Sequence, residues 1–190
     1  MRITSGKFGG RNILIPKTGD IRPTQDRVRE ALFSMLMNEI ASSRFLDLFA
    51  GSGAVGLEAI SRGAASATFV ESSSRHIDTL KKNIATLETP NSRELAQATS
   101  IFRQDVFSWM NSFSSREPFD IVFADPPYQL AKERTAEPFL EALESRNILR
   151  KGGLFVFETA TNLDSQAQDG WQILKVRDYG ATRLTLFSSL

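Results

Sequence analysis

The chain of 190 residues contains no cysteine and only one histidine, His76. Without cysteine there is neither a disulfide nor a thiolate metal site, and a single histidine argues against a zinc site. No segment approaches the roughly 20 consecutive apolar residues of a membrane-spanning helix, and the N-terminus lacks the apolar core of a signal peptide. We therefore expect a protein of the cytoplasm, with no metal and no membrane partner.

The most informative motif is Asp125-Pro126-Pro127-Tyr128, which follows the apolar run 121–124. The run predicts a buried strand, so the carboxylate would lie at the strand end, where open α/β sheets bind ligands. Two prolines fix φ and remove two backbone donors, which makes the next loop stiff. An acceptor, free carbonyls and an aromatic ring suit methylation of an amino group on a flat base, although the tetrapeptide alone is equally compatible with a turn.

A second motif, Gly51-x-Gly53-x-x-Gly56, connects a predicted strand at 45–49 to a predicted helix. Gly51 and Gly53 permit positive φ and close approach of a ligand, and Gly56 permits close packing of the helix on the strand. Glu71 lies 20 positions after Gly51 at the end of the next predicted strand. The pattern therefore also matches the dinucleotide fingerprint.

Three acids bear on the choice of ligand. Asp47 precedes the glycine turn, where it would repel a pyrophosphate and attract the ammonium and sulfonium of S-adenosylmethionine. Glu71 suits either ligand because it can accept both ribose hydroxyls. Asp105 follows a predicted third strand. It either accepts a hydrogen bond from the adenine amine or caps the next helix. Asp47 and the absence of an obvious hydride-transfer partner disfavour a nicotinamide dehydrogenase.

Charge is distributed unevenly along the chain. Residues 1–29 contain seven cations and two acids, a net charge of +5, whereas the whole chain carries +1. This asymmetry predicts an N-terminal arm that binds phosphates, with an ordinary solvated terminus as the alternative. The residues assigned to RNA binding are Arg2, Lys7, Arg11, Arg22 and Arg27, with Phe8 available for stacking.

Strands alternate with helices in the hydrophobic pattern. Apolar runs predict strands at 45–49, 67–70, 100–103, 119–124 and 154–157, and a closing hairpin from 171–177 and 183–187. Helical spacing begins after Thr24 and continues to Ile40, and another helix is expected from about Lys132 to Glu144. Such alternation implies one mostly parallel sheet, and the closing hairpin favours a methyltransferase over a dehydrogenase.

The motif order resembles the Rossmann-type S-adenosylmethionine methyltransferases that modify exocyclic amines of nucleic acids. Segments 22–33 and 179–184 make the chain similar to bacterial small-subunit ribosomal RNA guanine-N2 methyltransferases of the RsmD type. The resemblance implies a Rossmann-like α/β fold: a seven-stranded, mostly parallel sheet with an antiparallel C-terminal hairpin, plus an N-terminal β-hairpin arm. It divides the chain into a basic RNA-binding arm, 1–22, and a methyltransferase domain, 23–190.

The resemblance also assigns roles to residues. Hydrogen bonds from the guanine N2 amine to the Asp125 carboxylate and the Pro126 carbonyl would direct the nitrogen lone pair at the methyl group, while Tyr128 stacks on the base. Pro127 completes the catalytic loop. The predicted contacts to S-adenosylmethionine are Asp47, Phe49, Gly51, Ser52, Gly53, Glu71, Ser72, Asp105, Val106 and Asp125.

The expected substrate is 16S ribosomal RNA within an assembling small ribosomal subunit. We expect a monomer, because the RNA must reach both the N-terminal arm and the catalytic loop. Two alternatives stay open. One is a DNA adenine-N6 methyltransferase, which uses the same tetrapeptide but usually needs a sizeable target-recognition domain. The other is a non-catalytic RNA-binding assembly protein.

Overall fold

The computed structural model describes residues 1–16, 26–88, 93–114, 116–127, 135–163, 166 and 168–190. Within these ranges one sheet of seven strands runs through the molecule. The strands are β1 (Arg44–Leu48), β2 (Ser66–Glu71), β3 (Thr99–Arg103), β4 (Phe119–Ala124), β5 (Leu149–Ala160), β6 (Trp171–Tyr179) and β7 (Thr182–Ser189). Their spatial order is β3-β2-β1-β4-β5-β7-β6. The first five strands are parallel, and β7 runs antiparallel to both β5 and β6.

Helices connect the parallel strands. Those in the described ranges are α1 (Asp26–Met35), α2 (Ala54–Ser61), α3 (Ser74–Leu87), α4 (Glu94–Gln97), α5 (Val106–Ser112) and α6 (Glu137–Ser145). None of these helices is both long and apolar enough to cross a lipid bilayer. The alternation confirms the predicted fold, a mostly parallel α/β sheet closed by an antiparallel hairpin.

The sheet has an apolar core on each face, because successive side chains of a strand point to opposite sides. One core contains Phe45 and Phe69 of the sheet and the apolar residues of α1, α2 and α3. The other contains Val122 and Phe155 together with the apolar residues of α5 and α6. The carboxyl ends of β1, β2, β4 and β5 consequently meet at one edge, between helices on both faces.

Some element boundaries differ from the predicted ones. Helix α1 ends at Met35, although apolar spacing continues to Ile40, which is buried beyond the helix. Strand β5 begins at Leu149, five residues before the predicted start, and its pairing with β4 is irregular between Phe119 and Ile121. The helix predicted from about Lys132 lies partly outside the described residues, and α6 begins at Glu137.

Residues 1–13 pack onto the α/β core. The predicted hairpin is reduced to one antiparallel bridge, between Arg2 and Asn12. Its apolar side chains Ile3, Phe8 and Ile13 are buried in the same core as α1 and α2. Phe8 is only 4% exposed, so the prediction that this ring is available for stacking on a base is wrong. A phenylalanine among cations gains more by entering the core than by staying in water.

A buried ion-pair network fixes this N-terminal segment to α1 and α2. The Glu58 carboxylate accepts hydrogen bonds from the Thr4 backbone N–H (2.7 Å), the Thr4 hydroxyl (2.6 Å) and the Ser5 N–H (3.0 Å). It also lies 2.8 Å from Arg62 Nε and 3.4 Å from Arg29 Nε. Arg29 is completely buried and donates to the Arg2 carbonyl. The buried Glu58 carboxylate thus holds the N-terminal segment, and its hydrogen bonds and ion pairs offset the cost of burying its charge.

We expect Glu58→Ala to lower the free energy of unfolding by about 3–5 kcal/mol, because it removes the buried partner of Arg29 and Arg62 and leaves the buried Arg29 with only the half-exposed Asp26 as counter-ion. Urea unfolding followed by circular dichroism measures the loss. Glu117→Ala is the control: it removes an exposed partner of Arg44, and such surface pairs contribute about 0–1 kcal/mol. Equal effects of the two substitutions would contradict the role assigned to the buried network.

Candidate active site

Four carboxylates lie on one face of the sheet at its carboxyl edge. Asp47 of β1 pairs in register with Phe69 of β2 and Phe123 of β4, and Phe123 pairs with Val156 of β5. An acid lies two residues after Phe69, after Phe123 and after Val156. Side chains two residues apart on a strand point to the same face of the sheet. The acids are Glu71, Asp125 and Glu158.

The glycine loop between β1 and α2 lies beside this edge. Phe49, Gly51 and Gly53 all have positive φ, at 61°, 55° and 79°. A Cβ on Gly53 would lie 2.2 Å from Leu80 Cδ1, and one on Gly56 would lie 2.3 Å from Phe69 Cε1. Both distances are too short without a shift of the neighbouring side chain. The positive φ at 53 therefore favours glycine in the turn, and Gly56 lets α2 pack closely on the sheet as predicted.

Asp47 holds the start of α2. Its side chain is 2% exposed, and its Oδ2 accepts a hydrogen bond from the Gly56 backbone N–H at 2.9 Å. Burial raises the pKa of Asp47 to about 7; the Gly56 hydrogen bond opposes this rise, and the nearby charges of Asp125 and Glu71 add to it. Once Asp47 is ionised, its negative charge would therefore favour binding of a cation at this edge.

Glu71 holds the other end of the glycine loop. Its carboxylate accepts hydrogen bonds from the Gly51 N–H at 2.9 Å and the Ser73 N–H at 2.8 Å. His76 Nδ1 lies 3.5 Å from the same carboxylate, and its side chain is half-buried.

Asp125 lies one residue past β4 and is half-buried in front of Pro126 and Pro127. Burial raises its pKa to about 7, so its carboxylate exchanges protons near neutral pH. Pro126 is buried and Pro127 exposed. The fourth member of the motif, Tyr128, lies outside the described residues.

The other predicted cofactor contacts have different environments. Asp105 is exposed and caps α5 by accepting from the Ser108 N–H at 2.9 Å, which confirms the capping alternative and leaves an adenine contact as a prediction. Val106 is 2% exposed and packs in the core. Ser72 is exposed at the end of β2, whereas Ser52 is buried in the glycine loop.

The sequence interpretation missed two residues of this region, Asn83 and Glu158. Asn83 is completely buried on α3, where it donates to the Ser52 carbonyl (2.9 Å) and the Leu14 carbonyl (3.0 Å) and accepts from the Leu14 N–H (2.7 Å). It joins the glycine loop to the N-terminal segment. A polar residue beside the apolar positions of α3 was the signal for Asn83, and an acid directly after an apolar run was the signal for Glu158.

The basic residues assigned to RNA binding differ in their surroundings. Lys7 lies 2.7 Å from Glu94, and the Arg11 guanidinium donates to the carbonyls of Leu87 and Thr86 at the end of α3. Arg2 and Arg27 are exposed, and Arg22 lies outside the described residues. In the part of the chain that the structure describes, no three acidic or histidine side chains are grouped closely enough to hold a metal ion.

The raised pKa of Asp47 makes stability depend on pH. An acid whose pKa rises on folding binds its proton more tightly when folded, so its contribution to stability is full below about pH 4 and is lost by about pH 7 to 8. Since one pKa unit corresponds to about 1.4 kcal/mol, the ligand-free protein should lose up to about 4 kcal/mol of unfolding free energy relative to Asp47→Asn over this range.

Urea unfolding at a series of pH values, without ligand, tests this expectation. Asparagine keeps the acceptor for the Gly56 N–H but does not titrate, which isolates the effect of the charge. If the unfolding free energies of the two proteins changed equally with pH, the pKa of Asp47 would not be raised by folding.

Comparison with known proteins places these features in a family. A family model described as "Conserved hypothetical protein 95" matches residues 1–188. The chain is 34% identical over 189 residues to "Ribosomal RNA small subunit methyltransferase D" of Haemophilus influenzae, covering 100% of this chain and 94% of that protein. The protein of the same name from Escherichia coli K12 is 36% identical over 170 residues, covering 90% and 77%.

A solved structure has the same fold along the whole chain. It is the "putative methyltransferase yhhF" from Escherichia coli, with a TM-score of 0.83 and 31% identity, covering 100% of this chain and 97% of that one. The sheet order described above is thus that of a methyltransferase-like fold. The chain belongs to the family described as conserved hypothetical protein 95.

Proposed function

We propose that this protein is an S-adenosylmethionine-dependent ribosomal RNA methyltransferase that methylates the N2 amine of a guanine in small-subunit (16S) RNA. The observation that carries the proposal is the position of Asp125, directly before Pro126-Pro127 at the end of β4 and on the same face as Asp47 and Glu71. The names of the relatives support a ribosomal RNA substrate.

The carboxylate edge suits a positively charged cofactor. S-adenosylmethionine, when bound, supplies an electrophilic methyl group on a sulfonium. Asp47, Glu71 and Asp125 place negative charge at this edge, and the charges of Glu71 and Asp125 each raise the pKa of Asp47. A cation there relieves this mutual repulsion, whereas an anionic dinucleotide would increase it. The positive-φ loop at Gly51 and Gly53 brings backbone close to the same space.

Asp125 and the following backbone would hold the reacting amine. The guanine N2 lone pair is delocalised into the ring, and hydrogen bonds from its two protons to the Asp125 carboxylate and the Pro126 carbonyl would localise it. As the nitrogen–carbon bond forms, the amine becomes acidic, and Asp125 would accept the proton that it releases. A pKa of about 7 matches this role at neutral pH. Orienting the amine in a site with little water provides most of the acceleration.

RNA binding would use the exposed cations near the N-terminus. Arg2 and Arg27 are exposed, and Lys7 retains a 59% exposed side chain beside Glu94. Arg11 presents less of its charge because its guanidinium is bound to α3 carbonyls. We propose that the substrate is RNA in an assembling small subunit, bound in the cytoplasm by a monomer.

The function is tested by methyl transfer from labelled S-adenosylmethionine to small ribosomal subunits from a strain that lacks the enzyme. Digestion to nucleosides then identifies the product. N2-methylguanosine is the expected result. N6-methyladenosine would move the assignment to adenine chemistry, and RNA binding without any label would indicate a non-catalytic protein.

We expect Asp125→Ala to reduce turnover by about 100- to 10,000-fold, the usual range for a positioned acid or base, and to change cofactor affinity much less, because Asp47 and Glu71 still place negative charge at the edge. Single-turnover methylation and calorimetric titration of the cofactor give the two values. Asp120→Asn is the control, because Asp120 lies at the other end of β4 and pairs with Arg150. A folded Asp125→Ala protein that fails to bind cofactor would refute the proposed division of roles.

We expect Arg27→Ala to weaken binding to small-subunit RNA and to reduce the salt dependence of binding. Each lost phosphate contact lowers the slope of log K against log salt by about 0.7–0.9. The control is Arg146→Ala, an exposed cation that follows α6 on the opposite face of the sheet. If both variants changed the slope equally, binding would not be localised to the N-terminal surface.

A further inference from the structure

Glu158 is a buried acid to which the mechanism above gives no role. It lies near the end of β5 and is 8% exposed. Its Oε2 is inaccessible to water and has no hydrogen-bond partner in the part of the chain that the structure describes. Burying a carboxyl oxygen without a partner is unfavourable, so such a group in a native protein calls for an explanation, which a ligand can supply.

The sheet places Glu158 beside the reacting centre. Ala124 of β4 pairs with Phe157 of β5, so Asp125 and Glu158 occupy neighbouring positions one residue further along the parallel strands. Adjacent strands lie about 4.8 Å apart. This spacing is comparable to the width of the hydrogen-bonding edge of a base, so one base can contact both side chains.

The surroundings of Glu158 favour its protonated form. Loss of water raises the pKa of Glu158 well above its ordinary value, and the charge of Asp125 raises it further. On the other side, its partner in register on β7 is the apolar Leu184. In its protonated form the carboxyl presents one O–H donor and one carbonyl acceptor.

A donor and an acceptor side by side match the Watson–Crick edge of guanine. With the N2 amine held at Asp125, the next groups along that edge are the N1–H donor and the O6 acceptor. An adenine held by its N6 amine presents the N1 acceptor and then a C–H group. Guanine can thus satisfy both halves of the Glu158 carboxyl, whereas adenine satisfies only one.

We propose that Glu158 is the specificity-determining residue of this site, with its buried carboxyl group bonded to N1–H and O6 of the target guanine while Asp125 holds the N2 amine. The inference rests on the proposed function. It explains how an Asp-Pro-Pro-Tyr loop, which suits either guanine or adenine amines, is restricted to guanine. Enzymes that act on an extruded base commonly recognise it through this edge.

The test compares guanine with 2-aminopurine at the methylated position of reconstituted small subunits, once digestion has located that position. 2-Aminopurine keeps the reacting amine but has neither N1–H nor O6. The ratio of kcat/KM for the two bases is measured for the wild type, Glu158→Leu and Glu158→Gln. Intrinsic differences in amine reactivity cancel when the ratios are compared.

The wild type should prefer guanine strongly, and Glu158→Leu should reduce the preference by at least about 10-fold, because two hydrogen bonds to the base are lost. Glu158→Gln should retain it, because the amide also offers one acceptor and a donor. Thr185→Val is the control: Thr185 is another buried polar residue without a partner in the described chain, but it pairs with Phe157 and so lies on the opposite face. Its ratio should equal that of the wild type.

Unfolding measurements separate this role from a structural one. Removing a buried carboxyl should leave the urea midpoint of Glu158→Leu unchanged or raised, and Glu158→Met serves as a second apolar variant should the leucine variant fail to fold. An apolar variant that methylates both bases more slowly but keeps the wild-type ratio overturns the inference. If the wild type itself forms no N2-methylguanosine, the proposed function fails, which is a separate outcome.

Discussion

The site depends on four carboxylates that share one poorly solvated edge of the sheet. Parallel strands end at the same edge, where Glu71, Asp125 and Glu158 occupy equivalent positions and Asp47 lies two residues earlier on the same face. Loss of water raises the pKa of Asp47, Asp125 and Glu158, and repulsion from neighbouring acids raises the pKa of Asp47 and Glu158 further. An edge of this kind is poorly satisfied when empty and favours a cationic ligand together with a base rich in hydrogen-bond donors.

Backbone hydrogen bonds keep this edge in shape. Asp47 binds the first turn of α2 through the Gly56 N–H, and Glu71 binds the Gly51 N–H at the start of the glycine loop. Asn83 then connects the same loop, through the Ser52 carbonyl, to Leu14 of the N-terminal segment. Hydrogen bonds to Asn83 therefore connect the basic N-terminal segment to the glycine loop that we expect to contact the cofactor.

Prediction from sequence succeeded where the signal was local. The strand at 119–124, the glycine turn and the cap at Asp105 follow from short patterns, because apolar runs, positive φ and side-chain caps are determined by neighbouring residues. It failed for Phe8, whose aromatic ring among cations indicates stacking on a base in sequence but enters the core in the structure. It also overlooked Asn83 and Glu158, since burial and register depend on distant parts of the chain.

By itself the sequence determined the alternating order of strands and helices. It also contains the glycine motif at 51–56 and the Asp-Pro-Pro-Tyr motif at 125–128, which carry the resemblance to methyltransferases of nucleic-acid amines. Only the tertiary structure decided which acids share a face, which cations are already paired within the protein and which polar groups are buried. The physical reason is that backbone preferences act over a few residues. Desolvation and charge coupling, in contrast, depend on residues far apart in sequence: Asp47 and Glu158 lie 158 − 47 = 111 positions apart, on strands that both pair with β4.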